Sequence, residues 1–172
     1  MIPWPEANLL RILHRDSVKE IENLSKEQLS RRFEPGSQTL LMLAAASGAN
    51  AVIGFLRSTV PTLINARSDD GKTALMYACV IGHLTAVKLL VEASDVNAQD
   101  ARGMTALMHL AWARPTDVIA IADVLLAAQA RIDLRDADNQ TALDWALRRH
   151  TTSGDVTAYW VGDEDELVER LR

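Results

Sequence analysis

The sequence contains almost no cysteine. Its one such residue, Cys79, can form no disulfide bond within the chain, which fits a reducing compartment, and we expect a cytoplasmic protein. No cationic residue is evident that would lower the pKa of the thiol, so we interpret Cys79 as a buried packing residue. The four histidines show no H-x-x-x-H spacing, and we expect no metal site. They are His14, His83, His109 and His150.

Long apolar runs and an excess of positive charge are also missing. The longest apolar stretch, 118–130, is interrupted by Asp123 and is too short to cross a bilayer. Residues 1–15 have neither a basic start nor a continuous apolar run, so we do not expect a signal peptide. The formal net charge is −5, which gives no reason to expect nucleic acid or an anionic membrane as a ligand.

Aromatic residues are scarce as well, at 5% of the chain, whereas 48% of it is hydrophobic. This composition is typical of a folded protein and, with abundant Ala and Leu, favours closely packed helices over β-rich architecture. The 172 residues suffice for one domain with a real core or for one array of small repeats.

The segment Asp70-Gly71-Lys72-Thr73 ends like a phosphate-binding loop, but its context does not fit one. The motif G-x-x-x-x-G-K-[ST] needs a glycine at position 66, where the chain has Ala66. Asp69 and Asp70 would also repel a phosphate in the anion hole. We therefore interpret the segment as a tight turn that enters a helix.

Other signatures of catalysis do not occur in the sequence. There is no G-x-S-x-G nucleophile elbow and no dinucleotide-binding loop. The acidic run 162–166 lacks the alternating ligands and central glycine of a calcium loop, and a solvated helix start explains it better. We expect neither an enzyme nor a bound cofactor.

An internal repeat organises the chain. Four similar segments begin at threonines spaced 34, 32 and 36 residues apart, and each is followed by apolar and small residues. They are TLLMLAA from Thr39, TALMYAC from Thr73, TALMHLA from Thr105 and TALDWAL from Thr141. A second landmark closes each unit, as Ile64-Asn65-Ala66, Val96-Asn97-Ala98 and Ile132-Asp133-Leu134.

In these landmarks the chain resembles the ankyrin-repeat family, most closely over 71–102 and well over 37–147. The resemblance implies an all-α solenoid of helix-turn-helix repeats with β-hairpin loops and helical terminal caps. It implies one domain, 1–172, with an N-terminal cap at 1–36. The repeats would be 37–70, 71–102 and 103–138, and the last repeat with the C-terminal cap would be 139–172.

The turn and cap residues explain the segment Gly71-Lys72-Thr73. Gly71 allows a turn with positive φ, and Thr73 is suited to cap the next helix, while Lys72 points to solvent between them. Gly103 and Asn139 occupy the equivalent turn position before Thr105 and Thr141, whereas Ser37 replaces glycine in the first repeat. The resemblance also implies that His83 makes a structural hydrogen bond across the repeat.

Departures from the repeat lie in the third unit and at the ends. Pro115 is expected to end a helix, and Thr116 or Asp117 to cap the next one after an enlarged loop at 113–117. At the N-terminus we predict a helix over 6–15, a second starting at Asp16 or Ser17, and a capping box at Ser25 and Gln28. At the C-terminus we predict a helix from Thr141 to about Arg149, a loop at 151–154 and a final helix over 163–172.

Candidate binding residues follow from the resemblance, which implies partner contacts at the hairpin tips and the exposed side of the first helix of each repeat. Their apolar centre, of methionines and Trp112, has the residue types enriched in interface cores, although the methionines could instead pack between repeats and Trp112 against the Pro115 loop. The candidates are Asp69, Asp70, Lys72, Met76, Ala101, Arg102, Met104, Met108, Trp112, Asp138 and Gln140.

The function expected from this resemblance is a protein-protein interaction module, acting as adaptor, inhibitor or stabiliser through its concave face, and monomeric. A structural homo-oligomerising subunit, a small-molecule site between hairpins, and a secreted effector or regulator with a separate activity in the C-terminal tail remain alternatives. The resemblance also marks Asn97 as a modification candidate for hydroxylation, against a purely structural role in the hairpin.

Overall fold

The computed structural model describes residues 6–152 and 161–172, which fold into stacked pairs of helices. Within these residues the α-helices are α1 Glu6–Arg15, α2 Lys26–Leu29, α3 Leu40–Ser47, α4 Asn50–Thr59, α5 Ala74–Ile81, α6 Leu84–Val91, α7 Ala106–Ala113, α8 Val118–Ala127, α9 Ala142–Thr152 and α10 Val161–Leu171. Two short 3-10 helices span Val18–Glu20 and Pro61–Leu63, and strands β1 Arg32–Phe33 and β2 Gln38–Thr39 form one antiparallel hairpin.

Helices alternate between two layers. The inner helices α3, α5, α7 and α9 pack on one another in sequence order, and the outer helices α4, α6, α8 and α10 form the second layer. Small residues on the inner helices, such as Ala44, Ala78, Cys79 and Ala111, are buried and allow the close approach of neighbouring repeats. The expected all-α solenoid is confirmed. Within the described residues, none of the helices is long and apolar enough to cross a membrane.

Threonine caps begin the inner helices as predicted. The hydroxyl of Thr73 accepts the N–H of Met76, and the sulfur of Met76 accepts the N–H of Thr73 at 3.4 Å. The same reciprocal pair recurs at Thr39 and at Thr105. In the last repeat the carboxylate of Asp144 takes the place of the sulfur, at 2.9 Å from the N–H of Thr141. Each cap satisfies two backbone donors that the helix itself leaves unpaired.

The loops between repeats differ from the expected β-hairpins. Among the described residues only the first, β1–β2, has strand geometry, and each of the later loops is a tight turn closed by two backbone hydrogen bonds. Gly71, Gly103 and Asn139 adopt positive φ there, as predicted, and so does Ser37. Backbone hydrogen bonds join successive turns. The N–H of Ala101 donates to the carbonyl oxygen of Asp70, and the N–H of Ala137 donates to that of Arg102.

A ladder of long polar side chains also joins the turns, and sequence reasoning missed it. The guanidinium of Arg32 donates to the carbonyls of Ser37 and Arg67, so that it bridges its own turn and the next repeat. Arg67 and Gln99 repeat this pattern, and Arg135 ends it at Asn139. Each hydrogen bond of the ladder that joins two repeats spans more than thirty residues of sequence, which no local pattern reveals.

The N-terminal unit is less helical than expected. Helix α1 has the predicted bounds and Ser25 and Gln28 form the predicted capping box, but the second predicted helix is only the 3-10 turn Val18–Glu20. Between α1 and this turn Asp16 adopts φ 47° and changes the direction of the chain. Its carboxylate accepts the N–H groups of Ala51 and Val52 at 2.8 and 2.9 Å, so it caps α4 from a distant part of the chain.

The enlarged third-repeat loop ends α7 before Pro115, as predicted. Arg114 adopts φ 50° and its guanidinium donates to the carbonyl of Ala146 on α9. Asp117 stands at the N-cap position of α8, as expected, but its side chain makes no capping hydrogen bond. Pro115 packs against the preceding repeat, where a Cβ on Gly82 would lie 2.4 Å from the proline Cβ.

The C-terminal helix completes the last repeat. Helix α10 begins at Val161, earlier than predicted, and packs on α9 and α8 as an outer helix does in the other repeats. Its Leu167, Val168 and Leu171 are buried, and Arg170 forms an ion pair with Asp123 on α8. Helix α9 continues to Thr152, so the predicted loop is wrong at residues 151–152, and residues 153–154 lie outside the described residues.

Candidate protein-binding surface

The tip residues of the turns lie in a row along one edge of the inner helices. Asp69, Asp70, Ala101, Arg102 and Asp138 are exposed, as expected, because each turn projects beyond the helix that it precedes. Lys72 is less exposed than predicted and forms an ion pair with Asp70. Gln140 is half-buried and its amide donates to the carbonyl of Asp138 within the same turn.

The three candidate methionines do not face water. Met76 and Met108 are each 1% exposed and Met104 is 3% exposed, so the expected apolar surface of methionine side chains is wrong. The capping geometry explains this for Met76 and Met108, since each side chain folds back until its sulfur reaches the N–H of the capping threonine. They help to support the surface from below.

Two large apolar side chains remain exposed at the ends of inner helices. Trp112 on α7 is 50% exposed, and Ile81 at the end of α5 is 52% exposed. Trp112 lies three residues before Pro115, and Ile81 directly precedes Gly82, on which that proline packs. Trp112 is therefore the one large apolar candidate from the sequence that the structure places at the surface.

A small cavity, here called the central cavity, lies between the turns and the inner helices. Its volume is about 120 Å³. It is lined by Lys72, Val80, Arg102, Met104, His109 and Trp112. It therefore combines two cationic side chains with an indole and aliphatic walls, and it joins candidate residues from two adjacent repeats.

The cations of the central cavity have only weak partners. Nζ of Lys72 lies 3.6 Å from Oδ2 of Asp70, and an Nη of Arg102 lies 3.7 Å from Oδ2 of Asp138. The side chains of Arg102 and Asp138 are both more than half exposed, where such ion pairs contribute roughly 0–1 kcal/mol.

Beneath the central cavity Asp100 and His109 form a buried polar pair. Nε2 of His109 lies 2.8 Å from Oδ2 of Asp100, and the other oxygen accepts the N–H groups of Arg102 and Met104. Burial lowers the pKa of His109 because it disfavours the imidazolium form; Asp100 opposes this effect, and the positive charges of Lys72 and Arg102 add to it. Asp100 thus holds the turn between the second and third repeats in shape through Oδ1 and links it to α7 through Oδ2.

The same arrangement recurs in the neighbouring repeats with different chemistry. In the turn before the last repeat Asp136 accepts the N–H groups of Asp138 and Gln140 and the indole N–H of Trp145, the last at 2.7 Å. In the turn before the second repeat the hydroxyl of Ser68 accepts the N–H of Lys72. Sequence reasoning missed this position, although it lies five residues before each capping threonine and could have been read from the repeat alignment.

Asn97 has a structural role in the described contacts. Its amide oxygen accepts the N–H of Arg131 at 2.8 Å, and its amide nitrogen donates to the carbonyl of Gln129 at 3.1 Å. Asn65 makes the equivalent contact to the N–H of Asp95. Hydroxylation of Asn97 remains a prediction, and it would act on a side chain whose two polar atoms already hold adjacent repeats together.

The contacts of Cys79 and His83 indicate structural roles for both side chains. Cys79 is fully buried, and burial raises the pKa of its thiol far above the ordinary value. His83 shares a hydrogen bond with the carbonyl of Ala46 across the repeat, as predicted. Within residues 6–152 and 161–172, no three His, Cys, Asp or Glu side chains are grouped as metal ligands.

A second, larger depression, here called the outer groove, lies on the opposite layer between α6 and α8. Its volume is about 750 Å³. Lys88, Val91, Glu92, Ser94, Val124, Ala127 and Ala128 line it. Its two charged residues have opposite signs, so the outer groove lacks the concentration of one charge that distinguishes the central cavity.

Comparison with known proteins agrees with this architecture. The family model described as ankyrin repeats (3 copies) matches the chain at residues 9–100, 41–136 and 82–156. The matches overlap because the repeat allows more than one alignment in register, and together they span most of the chain.

Curated relatives carry the same repeats. The chain is 32% identical over 136 residues to the human ankyrin repeat domain-containing protein 63, covering 75% of this chain and 35% of that protein. It is 38% identical over 89 residues to the mouse ankyrin repeat and SAM domain-containing protein 6, covering 51% of this chain and 10% of that protein. The chain thus spans about a third or less of the length of these relatives.

Proposed function

Because the chain belongs to the ankyrin-repeat family, whose repeats generally mediate protein-protein binding, we propose that it is a non-enzymatic module that binds a partner protein. The proposed binding surface is the inner face, defined as the exposed tip residues together with Trp112 and the central cavity. In this role the chain would act as an adaptor, inhibitor or stabiliser of its partner.

The observation that carries this proposal is the half-exposed Trp112 beside Arg102 and Lys72. Trp and Arg are the residue types most often found to dominate binding energy, particularly where a pocket lies next to them. Here both line the central cavity, and buried methionine caps and the Asp100 carboxylate support them from beneath.

Rigidity of the surface also supports this role. The turns are linked to one another by backbone hydrogen bonds and by the ladder of Arg32, Arg67, Gln99 and Arg135. A preformed surface loses little conformational entropy on binding, so a modest number of contacts suffices for affinity.

The experiment is affinity capture from the lysate of the source organism, with bound proteins identified by mass spectrometry. It compares the wild type with an Arg102→Glu/Trp112→Ala double variant and with a Lys88→Glu variant in the outer groove as matched control. Circular dichroism melts of all three proteins establish that they are folded.

We expect a protein that binds the wild type and Lys88→Glu but not the double variant. A partner lost only with Lys88→Glu would move the binding site to the outer helices. A partner kept by all three proteins would contradict a site on the inner face. Light scattering over a range of concentrations tests the homo-oligomer alternative, in which the mass would rise with concentration.

A further inference from the structure

The central cavity is small and carries charge of one sign. At about 120 Å³ it is well below the roughly 300–1,000 Å³ of sites for drug-sized ligands, so its volume suits a single side chain. Among the described residues that line it are two cations, Lys72 and Arg102, and no carboxylate. A group that enters from a partner would therefore be met by positive charge on the side of the turns.

The charge beneath the cavity is already satisfied. Asp100 is buried, and its oxygens accept two backbone N–H groups and face Nε2 of His109. These donors offset its negative charge locally, so that it opposes an entering anion less than an exposed acid would. The positive charge of Lys72 and Arg102 is thus the main electrostatic feature at the mouth of the cavity.

Both cations can change partners at low cost. Their present ion pairs, at 3.6 and 3.7 Å, are longer than the roughly 2.7–2.9 Å of a charge-assisted hydrogen bond. Exposed pairs of this kind stabilise a protein by little, so loss of the contacts to Asp70 and Asp138 costs little. A carboxylate held between Lys72 and Arg102 would be shielded from water by Trp112 and would interact more strongly.

The row of turns has an alternating charge pattern that continues on both sides of the cavity. Asp69 and Asp70 precede Lys72, and Asp138 follows Arg102 in the next turn. The complementary partner carries an acidic residue at the centre and basic residues on either side of it. Because the row extends past the cavity in both directions, an internal segment of a partner chain fits it better than a chain end.

We infer that the central cavity receives the side chain of an internal Asp or Glu from an extended partner segment. Basic residues of this segment flank the acid and face Asp70 and Asp138, and an apolar residue next to the acid packs on Trp112. This inference deepens the proposed function and rests on it, since it assigns the chemistry of the partner at the same surface.

The test uses a displayed library of random twelve-residue peptides, selected on the folded full chain. Selected sequences are then synthesised, and their affinities are measured by fluorescence anisotropy. Each peptide is compared with a version in which the shared acid is replaced by its amide, and with a version whose C-terminus is amidated. The protein variants are Lys72→Gln/Arg102→Gln and the matched outer-groove control Lys88→Gln.

We expect the selected peptides to share one acidic position with basic neighbours. Its replacement by the amide should weaken binding about tenfold or more, as should Lys72→Gln/Arg102→Gln, whereas Lys88→Gln should have no effect. The two losses should not add, because they remove the same contact. A higher salt concentration should reduce the affinity of the wild type more than that of the double variant, which keeps only the contacts of Asp70 and Asp138 with the basic residues of the peptide.

Selected peptides without a shared acid, or an amide replacement with less than about a twofold effect, would overturn the inference. Loss of binding on C-terminal amidation alone would replace the internal acid by a chain end and overturn it as well, as would a failure to select any peptide. The capture experiment distinguishes a failure of this inference from a failure of the proposed function. A partner lost by Arg102→Glu/Trp112→Ala while peptides show no acid refutes only this inference, whereas a partner kept by that variant refutes the proposed function.

Discussion

Nε2 of His109 lies 2.8 Å from Oδ2 of Asp100, in a buried pair that closes the turn between the second and third repeats. Before the last repeat the indole N–H of Trp145 takes the place of the imidazole and donates to Asp136. Of these two pairs, only the one with His109 contains a ring whose ordinary pKa lies near neutral.

This pair predicts a loss of stability on acidification. Burial lowers the pKa of His109 below its ordinary value of 6.5, with further lowering by Lys72 and Arg102 and opposition from Asp100. Between the folded-state pKa and 6.5 the unfolded chain binds a proton that the folded chain does not, so the free energy of unfolding falls as the pH falls through this window. We expect His109→Gln, which keeps an N–H donor without titrating, to remove this part of the pH dependence.

The measurement is denaturant unfolding of both proteins at about pH 7.5 and about pH 5.5. The difference in free energy of unfolding between the two pH values should be smaller for His109→Gln than for the wild type. Equal differences would show that His109 does not contribute to the pH dependence.

Two glycines should respond oppositely to substitution by alanine. Gly71 has φ 76°, and a Cβ there would lie 2.7 Å from the backbone nitrogen of Ala101. We expect Gly71→Ala to destabilise the fold by about 1–3 kcal/mol, because the alanine strains its own turn and pushes against the next. Gly54 lies within helix α4 with nothing within 4 Å of an added Cβ.

Gly54→Ala should therefore stabilise the protein by about 0.4–1 kcal/mol, since it restricts the unfolded chain and improves helix propensity. Free energies of unfolding from urea titrations of the two variants and the wild type provide the check. A neutral Gly71→Ala would mean that the turn at Ser68–Lys72 can move away from Ala101 without loss.

Local features of this fold could be predicted from the sequence because each depends on neighbours in the chain. The spacing of Thr39, Thr73, Thr105 and Thr141 located the helix starts, and glycine or asparagine before them located the turns with positive φ. A capping threonine and its partner are three residues apart, so the sequence contains the whole interaction.

Non-local features escaped the same reasoning. The distance along the chain between Asp16 and the helix that it caps is 35 or 36 residues, and nothing near Ala49 indicates that its cap lies elsewhere. Met76 and Met108 were predicted at the surface because their position in the repeat lies on the side of the inner helix next to the turns. A long apolar side chain there folds back on the helix start, so the surface is formed by Trp112 and the charged tips.

The distant cap leads to a third prediction. Asp16→Ala removes the two hydrogen bonds to the N-terminus of α4 and leaves an alanine at φ 47°. It should therefore destabilise the protein by about 1–2 kcal/mol. Asp16→Asn keeps one oxygen acceptor and tolerates positive φ, and it should cost less. Glu22→Ala removes an exposed charge from the same segment and should change the free energy of unfolding by less than about 0.5 kcal/mol.

Urea unfolding orders these variants, and hydrogen exchange of the α4 amides localises the effect. The amides of Ala51 and Val52 should lose the most protection in Asp16→Ala. An Asp16→Ala protein as stable as Glu22→Ala would show that α4 does not depend on this carboxylate.

The packing of α10 allows a test between two hypotheses: that the C-terminal helix is part of the last repeat, and that it is a tail with its own activity. Leu167 is 1% exposed between α9 and α8, whereas the side chain of Glu169 points into solvent on the same helix. If α10 is the outer helix of the last repeat, Leu167→Ala should destabilise the protein by about 2–4 kcal/mol, because it leaves a cavity in that repeat. Glu169→Ala should change stability by less than about 0.5 kcal/mol.

Thermal and urea unfolding of both variants, with hydrogen exchange across α8 and α9, measure this difference, and loss of protection should be greatest in α9. Equal stability of the two variants would mean that α10 contributes nothing to the repeat array, and the alternative of a separate function in the tail would regain its support.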